Sequence, residues 1–98
     1  MKEMTAKELE HKLMNREIVN IIDVREVGEI AEGKIPEAIH IPLRLLEFRM
    51  HELDKRKEYV IVCLSGGRSM QAVNFLEGNG FQVINMNGGM LAWEGKTE

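Results

Sequence analysis

Tyr59-Val60-Ile61-Val62-Cys63-Leu64-Ser65-Gly66-Gly67-Arg68-Ser69 decides the fold class. Its first five residues are rich in β-branched types and apolar on both faces. Such a strand belongs in the middle of a parallel sheet covered by helices on either side. Gly66-Gly67 then breaks the chain, and Ser69 to Gly78 places Ala72, Val73 and Leu76 on one helical face. Upstream, Thr5-Ala6-Lys7-Glu8 reads as a capping box ahead of Leu9 and Leu13. Val19 to Val24 predicts a strand with Asp23 near its carboxyl end, Val27 to Glu32 a short helix stopped by Gly33, and Ala38 to Ile41 a short strand. Leu43, Leu46, Met50 and Leu53 mark a buried helical stripe. Downstream, Phe81 to Met86 predicts the last strand, Gly88-Gly89 a turn, and Met90 to Trp93 a short helix. Lys2 to Met4 can add a short edge strand. Strands and helices in alternation predict a three-layer α/β domain with right-handed crossovers.

The chain has 98 residues, which fits one domain, expected over 1–98 with 95–98 as a frayed tail. Lys and Arg number 13 against 16 Asp and Glu, a net charge of -3, which argues against a nucleic-acid footprint and gives no reason to expect a membrane surface as partner. The apolar fraction of 44% and charged fraction of 30% are those of a folded domain. A single cysteine, Cys63, can form no internal disulfide and no cysteine-based zinc site. No apolar leader or spanning segment is visible, so a cytoplasmic location is expected. His11, His40 and His51 are too dispersed to form a local ligand pair, and no metal or cofactor is expected. Lys34 is placed at the surface, and His40 is given a solvent-facing or satisfied polar position.

The chemistry concentrates where the central strand ends, the side of an open α/β sheet on which ligands bind. Adjacent glycines let successive N–H groups curl toward one point. The following helix adds its positive dipole end, and Arg68 a full charge. A thiol there is expected to ionise readily and act as a nucleophile without a histidine partner. Taken alone, Cys63 could equally be an inert buried residue and Ser69 a plain helix N-cap. The surrounding Cys-x-x-Gly-Gly-Arg-Ser context favours reactivity.

Three motifs in order resemble the rhodanese-like sulfurtransferase family. They are Asp23-Val24-Arg25-Glu26 with Glu29, running on to Gly33 through Pro42; Cys63 to Arg68 with Ser69; and Gly88-Gly89-Met90-Leu91-Ala92-Trp93. The resemblance implies a central parallel sheet of about five strands with helices on both faces. It implies that Cys63 carries sulfane sulfur as a persulfide, from a donor such as thiosulfate or a persulfide to cyanide, a thiol or a protein cysteine. Leu64, Ser65, Gly66, Gly67, Arg68 and Ser69 would bind substrate, with Arg68 holding the anionic donor. Asp23 and Arg25 match supporting positions, and a structural ion pair is the plainer account of them. Leu64 stands where many family members carry arginine, which predicts weak use of thiosulfate.

Two other functions fit the same residues. A cysteine phosphatase or arsenate reductase also surrounds an anion with a cysteine and an arginine. Those loops place five residues between the two, whereas here Leu64, Ser65, Gly66 and Gly67 make four, and no aspartate offers a general acid. A non-catalytic interaction module is the other, although such a module would be expected to have lost Cys63.

Overall fold

The computed structural model describes residues 1–98. Its strands are β1 (Glu3–Thr5), β2 (Asn20–Asp23), β3 (Ala38–His40), β4 (Glu58–Val62) and β5 (Gln82–Asn87). Its α-helices are α1 (Ala6–Met14), α2 (Val27–Ile30), α3 (Leu46–Arg49) and α4 (Gly67–Gly78). All strand pairs are parallel, in the order β1-β5-β4-β2-β3. The edge strand foreseen at the start of the chain forms as β1 and pairs with β5. No helix is long and apolar enough to cross a membrane.

Strand alternation divides the core into two layers. Tyr59, Ile61 and Cys63 pack with Ala72, Val73 and Leu76 of α4 and with Leu46 of α3. Val60 and Val62 pack on the other face with Leu9 of α1, Ile35, Ile84 and Met86. β4 is buried from Tyr59 onward because both faces are covered, and this arrangement aims Cys63 toward α4.

Several local expectations need correction. The stripe from Leu43 to Leu53 is not one helix but a 3-10 turn (Leu43–Leu45), α3, and a second 3-10 turn (Met50–Glu52). Only Leu46 of the stripe is fully buried, so packing constrains the rest too weakly to impose a regular α-helix. The final helix is a 3-10 turn over Gly89–Ala92. Lys34 is not a free surface lysine. Its Nζ donates to Ile35 O (3.0 Å) and Ala38 O (3.0 Å) and pairs with Glu98 (3.0 Å). At the other end of the chain, Glu98 N donates to Lys34 O (2.9 Å), and Lys34 N donates to Glu98 O (3.2 Å). His40 is half-buried and donates through Nε2 to Arg25 O (2.6 Å).

At the carboxyl end of β2, Asp23 and Arg25 form an ion pair that is 0% and 4% exposed. Arg25 Nη2 and Nε reach the carboxylate at 2.8 and 3.0 Å, and Arg25 N donates to Asp23 Oδ1 at 3.0 Å. The guanidinium also donates to Gly33 O (2.8 Å), tying the segment after α2 to the sheet. Removing one partner leaves an uncompensated charge in the interior. Arg25→Ala should therefore cost about 3–5 kcal/mol of unfolding free energy in a urea titration, and a cost below 1 kcal/mol would show that water reaches Asp23.

Candidate active site

Cys63 directly follows β4 and is 1% exposed. Its Sγ accepts a hydrogen bond from Gly66 N (2.9 Å), so the chain curls back over the sulfur within three residues. That curl puts Gly66 at φ +112°, a conformation that L side chains rarely adopt. Gly66, not Ser69, is the N-cap of α4. The backbone N–H groups of Leu64, Ser65, Gly67, Arg68 and Ser69 have no hydrogen-bond partner within the protein. Unpaired amide donors at the start of a helix form a concavity suited to an anion.

The carbonyls on the other side of this loop are fixed by the Gly89–Ala92 turn that follows β5. Met90 N donates to Cys63 O (2.8 Å) and Leu91 N to Leu64 O (3.0 Å). Every peptide in the chain is trans, so C=O and the next N–H point in opposite directions. Anchoring those two carbonyls on the Gly89–Ala92 turn therefore directs the amides of Leu64 and Ser65 away from it. The approach is close enough that a Cβ on Gly89 would meet Leu64 C at 2.5 Å and Cys63 O at 2.6 Å, and Gly89 also sits at φ +58°.

Ser69 is fully buried, and its Oγ lies 3.3 Å from Cys63 Sγ and 2.9 Å from Gly66 O. It also contacts Asn85 Oδ1, and Asn85 Nδ2 donates to Asn87 Oδ1 (3.0 Å). Asn85 was not singled out among the sequence candidates. Its signal is a polar residue within Val83-Ile84-Asn85-Met86, on the α4 side of the sheet, where an apolar residue would otherwise be expected. Asp23 and Arg25 make no hydrogen bond to Sγ and hold the neighbouring strand end.

Arg68 points to a partner outside the loop. Both terminal nitrogens reach Glu29 of α2, Nη1 to Oε1 at 2.6 Å and Nη2 to Oε2 at 2.6 Å. The expectation of a free cation for the donor is thus modified: the guanidinium is already engaged by a carboxylate. Glu29 also accepts from Glu26 N (3.0 Å), closing the capping box of α2. The Arg68 hydrogen bonds chiefly hold the Glu29 carboxyl at about 2, against the opposing effect of desolvation. Leu64, 37% exposed, and Leu91, 73% exposed, flank the same loop through their shared backbone hydrogen bond. A cavity of about 900 Å³, lined by α1, Pro36, Glu37 and residues 93–96, includes no part of the cysteine loop.

A family model for the rhodanese-like domain matches residues 5–96. A sulfurtransferase of Allochromatium vinosum is 40% identical over 92 residues, covering 93% of this chain and 86% of that protein. The protein YtwF of Bacillus subtilis (strain 168) is 46% identical over 98 residues, covering 100% of this chain and 95% of its own. The crystal structure of a rhodanese-like domain protein from Staphylococcus aureus superposes with a TM-score of 0.94 at 40% identity, covering 100% of this chain and 97% of that one.

Two outcomes follow from the geometry. Gly89→Ala should lower stability by about 2–4 kcal/mol in urea, the combined cost of a left-handed alanine and overpacking against fixed carbonyls; an unchanged midpoint would mean that the turn yields freely. The folded-state pKa of Glu29, about 2, lies below its ordinary value of 4.5, so its stabilisation is complete above 4.5 and lost as pH falls through 2. The urea midpoint difference between the wild type and Glu29→Gln should hold constant near neutrality and shrink across that acid window.

Proposed function

The chain belongs to the rhodanese-like domain family, and from that membership and the loop geometry we propose that Cys63 is the sulfur-carrying residue of a sulfurtransferase. The Cys63 thiolate attacks the outer, sulfane sulfur of a donor such as thiosulfate or a persulfide. An Sγ–S bond forms while the donor's S–S bond breaks, and its electron pair leaves with the remainder, sulfite in the case of thiosulfate. The enzyme now holds Cys63–S–S⁻. A cyanide, thiol or protein cysteine acceptor attacks the terminal sulfur. With cyanide, thiocyanate leaves and the Cys63 thiolate returns, which is covalent catalysis with ping-pong kinetics.

The observation that carries this reading is the Gly66 N–H donated to Sγ at 2.9 Å, in a loop whose other amides from Leu64 to Ser69 have no partner within the protein. Such donors stabilise a terminal anionic sulfur as an oxyanion hole stabilises oxygen. The substrate-binding roles of Leu64, Ser65, Gly66, Gly67, Arg68 and Ser69 rest on this cradle, and the supporting roles of Asp23 and Arg25 on their clamp at the strand end. Ser69 can accept from the thiol S–H and turn its single proton toward the thiolate. Cys63 is 1% exposed, so the slender end of a sulfane donor is better matched to the opening than a tetrahedral oxyanion. The four-residue interval before Arg68 argues the same way.

Incubation with thiosulfate or a persulfide donor should add the mass of one sulfur to the intact protein, and cyanide should remove it. Cys63→Ser should remain folded by circular dichroism and gain no sulfur, because a serine hydroxyl is too weak an acid to replace the thiolate. Sulfur transfer by folded Cys63→Ser would overturn the assignment.

A further inference from the structure

We infer that Glu29 is a specificity-determining residue: by keeping Arg68 occupied, it sets the mouth of the Cys63 loop for sulfane donors with one negative charge and an apolar tail, and against dianionic thiosulfate. The inference rests on the sulfurtransferase reading and names the donor class of that same site.

Each arginine at this end of the sheet is matched by a carboxylate. Arg25 is paired with Asp23 at 2.8 Å, Arg44 with Glu26 at 3.0 Å, and Arg68 with Glu29 at 2.6 Å. The Glu29 contact is bidentate, the geometry in which a guanidinium is most fully occupied by one partner. Gly66 N–H and the unpartnered amides serve the transferring sulfur itself. A donor's outer end, by contrast, lies toward the rim, where Leu64 and Leu91 are exposed and Glu29 contributes a negative charge. In thiosulfate that end is an anionic sulfonate, which must displace Glu29 from Arg68 or share the cation with it. In an aryl thiosulfonate or a thiol persulfide the same end is an organic group, which the leucines can cover.

The loading step is the same for both donor types. The Cys63 thiolate takes the sulfane sulfur from R–SO₂–S⁻, the Sγ–S bond forming as the S–S bond breaks, and the sulfinate R–SO₂⁻ departs with the electron pair. Thiosulfate releases sulfite in the same manner. Donor charge and tail are therefore the variables that a comparison isolates.

The test is steady-state transfer to cyanide from benzenethiosulfonate and from thiosulfate, at low and high salt, for the wild type, Glu29→Gln and Leu64→Arg. Gln retains an oxygen for Glu26 N–H, so the cap of α2 keeps its acceptor. Glu29→Gln should lower the thiosulfate KM about fivefold and shift the ratio of kcat/KM between the donors toward thiosulfate by a similar factor, the size expected of a partly exposed charge pair. Leu64→Arg should move the ratio the same way by adding a cation. Both gains should shrink as salt rises. An unchanged thiosulfate KM in Glu29→Gln, with benzenethiosulfonate still loading Cys63, overturns the role of Glu29 whatever Leu64→Arg does. Failure of both donors to load wild-type Cys63 overturns the sulfurtransferase reading, and this inference with it.

Discussion

The site depends on one constraint: the carbonyls of Cys63 and Leu64 must be held outward so that the amides following them can converge. A strand end left to itself would not maintain that orientation, because a free loop satisfies its peptide groups with water in many geometries. Here the N–H groups of Met90 and Leu91 fix both carbonyls at 2.8 and 3.0 Å. This is possible because β5 lies beside β4 in the parallel sheet, so both chains leave the sheet at the same end. Glycine at position 89 follows from that proximity, since any Cβ would fall on the carbonyls it is meant to hold. Sheet order, a turn some 25 residues away in sequence and the conformation of the Cys63 loop are thus one requirement.

A second layer of support is polar and buried, which is costly unless every group is paired. Ser69 and Asn85 lie between α4 and β5, at positions that apolar residues could fill with less demand for geometry. The contacts of Ser69 with Gly66 O and Cys63 Sγ, and of Asn85 with Ser69, place the helix start relative to the sulfur. Every buried side-chain polar atom has a partner, so the cluster specifies a single arrangement without leaving an unsatisfied group.

The sheet, its covering helices and the glycine turn after β4 were legible because they are written locally. Tyr59 to Val62 is too uniformly apolar for an edge, and Gly66-Gly67 marks the turn from strand into helix. What was not legible depends on partners brought together by folding. Arg68 looks like a free cation until α2 places Glu29 against it, 39 positions earlier in the chain. Ser69 looks like an N-cap, but the curl that brings Gly66 N–H onto Sγ starts the helix sooner and turns the hydroxyl inward. Lys34 reads as a surface residue because its environment is made of carbonyls and the returning chain end, neither of which leaves a side-chain signature.

The pairing of Arg68 with Glu29 contributes less to folding than its short distances suggest. The side chains are 34% and 27% exposed, and an ion pair in that setting adds little net stability after desolvation and side-chain ordering. Its stronger effect is on the electrostatic potential felt by an arriving anion. A guanidinium held in a bidentate clasp presents its remaining donors in a fixed direction while its charge is largely cancelled at longer range. On the proposed sulfur-transfer role, the loop would rely on backbone amides for the transferred sulfur, and those act only at hydrogen-bond distance. A site built in this way would read the last atom of a donor closely and offer little attraction to charge carried further back.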